Sequence, residues 1–174
     1  MEFLKKMIHI LSWLIYILII IYVLICAPMI FGYKPLVVLS GSMEPTYGVG
    51  SVIYYHETPK EEIKVGDAIT FTYETDFITH RVVNIEDGLY ETKGDANNAV
   101  DARKIGYSNI KGKVSKLYIP YIGYYVSFIN KHLYLLGVVI LILVSEFLLN
   151  PSKKKEEKVK EVETLDIDRK KERK

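Results

Sequence analysis

Residues Ile10 to Phe31 form an almost unbroken apolar run, interrupted by Ser12, Tyr16, Tyr22 and Pro28. About 22 residues at about 1.5 Å each reach about 33 Å, enough to cross the hydrocarbon core of a bilayer. The run therefore predicts a transmembrane helix over residues 10–31. Lys5 and Lys6 precede it in the manner of a cleavable signal peptide, but its core is too long for one and no Ala-x-Ala site follows, so a permanent anchor is expected. Pro28 is expected to loosen or end the helix.

A second apolar run, Leu133 to Leu149, carries Glu146 near its far end. At about 17 residues it sits at the lower limit for a span, with a buried or interfacial helix as the other reading. Pro151, Lys153, Lys154 and Lys155 open a tail of alternating charge that cannot form a core and is expected to be disordered or a solvated helix. Basic clusters flank both runs on their outer sides, so the positive-inside rule places residues 1–9 and 150–174 in the cytoplasm. Residues 34–132 then lie outside, and the expected location is a membrane, crossed twice. The chain has 174 residues and a net charge of only +2, which argues against nucleic acid as the main partner. Its single cysteine, Cys26, excludes an internal disulfide.

Between the two runs the pattern changes to short segments rich in Val, Ile, Thr, Phe and Tyr. Strands are expected at Val37–Leu39, Ser51–Tyr55, Ala68–Tyr73, Phe77–Val83, Leu89–Thr92 and Gly112–Ile119. Turn chemistry separates them, as in Val65-Gly66-Asp67 and Glu86-Asp87-Gly88. With no convincing amphipathic helix, residues 34–132 read as an antiparallel β domain. Tyr118, Tyr121, Tyr124 and Tyr125 crowd the approach to the second run, where amphipathic rings favour a membrane surface.

Within this domain Ser42 stands between Gly41 and Met43, just before Pro45. Gly41 permits a turn without a Cβ penalty and Pro45 stops a helix, so Ser42 is expected on an irregular turn that can present its hydroxyl. The same composition is also ordinary loop. His80 shares a strand face with Ile78 and Val82, which suits a satisfied structural histidine as well as a base. Asp95 and Asp101 fit either an Asx-type turn with a surface carboxylate or a functional pair. Taken together the residues suggest more, because a serine hydroxyl needs a base, and a neutral imidazole oriented by a carboxylate supplies one.

Ser40-Gly41-Ser42-Met43-Glu44-Pro45, Gly66-Asp67, Thr79-His80-Arg81-Val82-Val83 and Lys93-Gly94-Asp95 with Asn97-Asn98, in that order after one membrane anchor, resemble the sequence boxes of type I signal peptidases. The resemblance covers roughly residues 10–125. His80 occupies the position where the bacterial branch has a lysine base, so the chain is similar to the endoplasmic-reticulum and archaeal branch. The resemblance implies Ser42 as nucleophile, His80 as general base and Asp101 as orienting acid, with Asp95 supporting the site through hydrogen bonds. Ala96 makes Gly-Asp-Ala-Asn-Asn of what is Gly-Asp-Asn-Asn in many relatives, so the choice between the two aspartates stays open. The Ser40 hydroxyl and the Ser42 backbone N–H would form the oxyanion hole. The implied location is the cell membrane in an archaeon or bacterium, or the endoplasmic reticulum in a eukaryote. Eukaryotic catalytic subunits work with other membrane subunits, whereas archaeal relatives resemble single-chain enzymes.

The substrate implied is the signal peptide of a preprotein, an apolar helix in the bilayer whose scissile bond follows small residues near the outer surface. An enzyme held at that level could pair extended substrate with a strand edge, with Met43 beside the side-chain pockets. No cofactor or metal is expected. Three other readings are a serine/lysine protease with Lys93 as base, metal-dependent hydrolysis through His56, His80 and the aspartates, and a non-catalytic membrane subunit that binds preproteins. The metal reading lacks any His-x-x-x-His spacing.

Overall fold

The computed structural model describes residues 2–149, so the charged tail expected at 150–174 lies outside the described residues. The chain divides into two compact parts, Met1–Ile20 with Leu133–Lys174, and Ile21–His132.

Helix α1, Glu2–Cys26, begins in the first part and ends in the second. Together with the 3₁₀ turn Ala27–Phe31 that follows, it makes the one apolar helical stretch among the described residues long enough to cross a membrane. The α-helix gives way at Cys26 because Pro28 has no N–H to donate and its ring clashes with the preceding turn. In the first part, the second apolar run forms a helix, Leu135–Leu149. Its 15 residues reach about 22 Å at about 1.5 Å each, short of the ~30 Å hydrocarbon core, so the expected second crossing does not follow from its length. Its Glu146 meets Nδ1 of His9 on α1 at 2.8 Å, while Trp13 Nε1 donates to His9 Nε2 at 3.2 Å.

The second part is built on seven antiparallel strands: β1 Lys34–Val37, β2 Val52–His56, β3 Ala68–Tyr73, β4 Asp76–Glu86, β5 Leu89–Lys93, β6 Ile105–Gly106 and β7 Ile110–Ile119. Their order across the sheet is β1-β2-β7-β3-β4-β5-β6. The antiparallel β domain expected from the sequence is thus present, with three differences. The first strand lies at residues 34–37 rather than 37–39, since Pro35 is tolerated on an edge strand that leaves its missing N–H outward. Ile105–Gly106 adds a strand too short for any periodicity. Ile122–Lys131 is an α-helix, α2, where none was expected; the helix Leu135–Leu149 is accordingly α3.

Alternation along the strands sorts the apolar side chains into separate cores. On one face Ile53, Tyr55 and Val114 pack with Met43 and Tyr47, and Leu36 and Val38 join them. Further along the sheet Ile69, Phe71, Val82 and Tyr90 form a second cluster. On the other face Val52 and Tyr54 pack with Ile25 of α1, Val37, and Ile122, Tyr125 and Val126 of α2. The buried Tyr54 hydroxyl donates to the Ile25 carbonyl at 2.9 Å, satisfying a carbonyl freed where α1 ends. Helix α2 approaches closely enough for the Gly123 N–H to reach the Gly50 carbonyl at 2.8 Å. A Cβ on Gly123 would lie 2.6 Å from that oxygen, so only glycine permits the contact.

Candidate active site

Ser42 sits in a single 3₁₀ turn, Gly41–Met43, that ends at Glu44 before Pro45. The turn is anchored by Met43, which is buried in the core beside Tyr47, and by a Tyr47 N–H to Met43 carbonyl bond of 2.8 Å. Gly41 is not what permits it, contrary to expectation. Its backbone is outside the left-handed region, and a Cβ there would meet only the Glu44 carboxyl group, at the ordinary distance of 3.5 Å. The Ser40 and Ser42 hydroxyls lie 3.3 Å apart.

His80 is buried on the face of β4 that also buries Val82, with the Phe71 ring edge-on to it at 6.3 Å. Its Nδ1 meets Oδ2 of Asp101 at 2.6 Å. A carboxylate accepts, so Nδ1 is the donor in this contact, and in the neutral imidazole that leaves the lone pair on Nε2. The same Asp101 oxygen accepts a bond from the Thr92 hydroxyl at 2.6 Å, and the Asp101 N–H returns to the Thr92 carbonyl at 2.8 Å. Thr92 has no exposed surface. The loop after β5 therefore folds back on its own strand and fixes the carboxylate beside the imidazole.

Asp95 belongs to a different network. Arg81, next to His80 but on the opposite face of β4, grips it through Nε to Oδ1 at 2.8 Å and Nη2 to Oδ2 at 2.6 Å, and the Thr46 hydroxyl donates to Oδ2 as well. The Arg81 guanidinium holds the Asp95 carboxyl below the usual carboxylate range, against a smaller opposing effect of burial. Asp95 in turn raises the Arg81 pKa. The geometry thus separates the two aspartates: Asp101 touches His80, and Asp95 ties the segment after Ser42 to β4. A further strap joins Ala96 N–H to the Ser42 carbonyl at 2.9 Å. A Cβ on Gly94 would lie 2.6 Å from that carbonyl oxygen, so the Gly-Asp pair must begin with glycine for the Ser42 turn to rest on it.

Ser40, Ser42, Met43, His80 and Asn97 all line one groove of about 660 Å³, whose walls include Leu36, Val38 and Ile53. Lys93 is not in it; Lys93 pairs in register with Arg81, on the face of the β4–β5 ladder away from His80. His56 lies on the register row His56–Lys113–Ile69–His80, three strand steps from His80, or about 14 Å at a spacing of ~4.8 Å. Among the described residues no three His, Cys, Asp or Glu are grouped to hold a metal ion.

Thr46, Arg81 and Thr92 were not singled out from the sequence. Thr92 reads as an ordinary strand threonine. Arg81 stands in the box beside His80, and its charge next to the Gly-Asp box is the signal that an ion pair could have been expected.

No family model matches the chain. It is 37% identical to the signal peptidase complex catalytic subunit SEC11 of Scheffersomyces stipitis over 136 residues, covering 68% of this chain and 80% of that protein. It is 38% identical to signal peptidase I W of Bacillus subtilis over 99 residues, 53% of this chain and 52% of that protein. The figure is 40% with SEC11 of Lodderomyces elongisporus over 112 residues, 56% of this chain and 66% of that one. The matched stretch therefore spans about half the length of the Bacillus relative and just under two thirds of the Lodderomyces one. With 80% of the Scheffersomyces protein covered at 37% identity, the chain belongs to the type I signal peptidase family, in its endoplasmic-reticulum branch.

Proposed function

We propose that the chain is a membrane-bound serine endopeptidase that removes signal peptides from preproteins by cutting after small residues at the outer membrane surface. The observation that carries this reading is the 2.6 Å contact between His80 Nδ1 and Asp101 Oδ2, with His80 and Ser42 on the wall of one groove. His80 Nε2 takes the Ser42 hydroxyl proton as Oγ attacks the scissile carbonyl carbon. The Ser40 hydroxyl and the Ser42 N–H stabilise the oxyanion that results. When the C–N bond breaks, His80 returns the proton to the leaving amine, and water then releases the acyl group from Ser42 by the same steps. Asp101 keeps the imidazole in the required tautomer and stabilises its cationic form, while Asp95 holds the Ser42 segment against β4. No cofactor enters this scheme.

The domain plan goes with it: residues 1–9 cytoplasmic, 10–31 a membrane span, 34–132 the catalytic domain outside, 133–149 a second span and 150–174 cytoplasmic. The pairing of His9 with Glu146 supports this arrangement, because each lies at the end of its helix nearest the expected cytoplasmic side. The two SEC11 relatives are catalytic subunits of a signal peptidase complex, which makes other membrane subunits natural partners. The test is incubation of the purified, detergent-solubilised chain with a preprotein beside a Ser42→Ala control. One cut after a small residue, lost in the control, is expected; full activity in the control removes the serine-protease reading.

A further inference from the structure

Behind β1 lies a second groove, of about 520 Å³, walled by Ile25, Met29, Val37, Val52 and Val126 and bordered by Cys26. It is formed by the end of α1, β1 and α2. The side chains of Leu36 and Val38 pack on the Met43 face of the sheet, and Val37 packs on the α2 face. The catalytic groove and this one therefore flank the same edge strand. They share Leu36, Val37 and Leu39 as lining, so they adjoin across β1, which has a sheet neighbour on one side only. Leu39, just before Ser40, lies 80% exposed between them.

We propose that this second groove receives the outer end of the preprotein's apolar helix, and that the chain leading to the scissile bond passes over the edge of β1 to reach Ser42. The inference rests on the peptidase reading above. A signal peptide places an apolar helix first and small residues with the scissile bond just after it. The two grooves follow in that order, apolar wall first and hydroxyl and imidazole second. Acyl chains would wet any exposed apolar wall, but they give no reason for that wall to adjoin, along Leu36 to Leu39, the cavity that His80 lines. Extended backbone can also pair with the free side of β1 as it crosses.

Cys26, the only cysteine of the chain, makes the test direct. The full-length Ser42→Ala protein in phospholipid nanodiscs is mixed with preproteins carrying one cysteine at successive positions of the apolar helix, and copper-phenanthroline is added as oxidant. A disulfide to Cys26 is expected for positions in the last two turns before the cleavage region, and none in the additional Cys26→Ala variant. Separately, Ser127→Trp and Asn130→Trp narrow the groove. They should lower kcat/KM for a preprotein about tenfold more than for a short peptide that spans the cleavage site but lacks the apolar helix. Equal losses for the two substrates in both variants, or no disulfide at any position, overturn the inference and leave the groove to lipid. Failure of the unsubstituted enzyme to cut either substrate would instead overturn the peptidase reading.

Discussion

The Thr92 hydroxyl donates to Oδ2 of Asp101 at 2.6 Å, and that oxygen is also the one that meets His80. Both donors converge on one carboxylate oxygen inside a site where Thr92 is wholly buried. Thr92→Val keeps the shape and removes the hydroxyl, so turnover should fall about 10- to 100-fold with KM little changed, as when an orienting hydrogen bond behind a catalytic group is lost. Thr92→Ser should restore most of it. The check is kcat and KM for all three proteins; a valine variant of full turnover would remove Thr92 from the machinery.

Replacing the three groups expected to carry the chemistry should give losses of a different size. Ser42→Ala and His80→Ala should each cost on the order of 10⁴-fold or more in turnover, and Asp101→Asn should also cost heavily with the fold intact. Lys93→Ala should cost far less, because Lys93 shares its ladder face with Arg81 and not with His80. Single-turnover rates on a preprotein decide this. An inactive, folded Lys93→Ala beside a fully active His80→Ala would reverse the assignment.

Gly94→Ala offers a probe of the strap between the box and the nucleophile. The added Cβ would fall 2.6 Å from the Ser42 carbonyl oxygen, so the Ser42 turn must shift. A displacement of about 1 Å can cost about 10²-fold in rate. The expected result is a large loss of turnover with a small change in thermal midpoint, read by activity and by unfolding of the same preparation.

The Arg81–Asp95 pair gives a pH dependence whose sign follows from its direction. Asp95 is held below its ordinary value in the folded state, so it contributes stability that is fully present above the unfolded pKa of about 4 and is lost as pH falls through the folded pKa. Asp95→Asn should therefore destabilise the neutral protein, by about 1–3 kcal/mol for charge-assisted bonds. The gap to the unsubstituted protein should close on acidification. Thermal midpoints across pH 7 to 3 test it; a gap that widens in acid contradicts the pairing.

Topology is open to labelling. In a Cys26→Ala background, single cysteines near Glu2 and near Lys170 should be shielded from an impermeant thiol reagent in intact cells, while one near Glu86 should react. Labelling near Lys170 would mean that the second apolar run does not cross.

How much of this was readable beforehand depended on whether a residue's neighbours lie along the chain or across the sheet. Ala68–Tyr73 alternates between faces and is rich in β-formers, and its bounds came out as expected. Ile122–Lys131 is so rich in aromatic and β-branched residues that it carries no helical signal, and its first turn follows Tyr121 in a left-handed conformation with no capping side chain. Ser42, His80, Asp95 and Asp101 could be named from their boxes. Which aspartate faces the imidazole could not, because it depends on a loop that doubles back to bind the Thr92 carbonyl, a contact of sheet and loop with no spacing rule.

The close approach of α2 to the sheet has a mechanical consequence. Gly123 N–H binds the Gly50 carbonyl, Gly50 N–H binds the Val38 carbonyl, and Val38 N–H binds the Ser51 carbonyl, at 2.8, 2.9 and 2.9 Å. This series of main-chain bonds runs from α2 to the segment two residues before Ser40. With no flexible side chain in the series, α2 cannot shift against the sheet without carrying the Ser42 segment along, and the pair works as a caliper of fixed opening. A side chain at Gly50 or Gly123 would collide with Tyr124 or with the Gly50 carbonyl, so loosening the series there frees the Ser42 turn to move relative to α2.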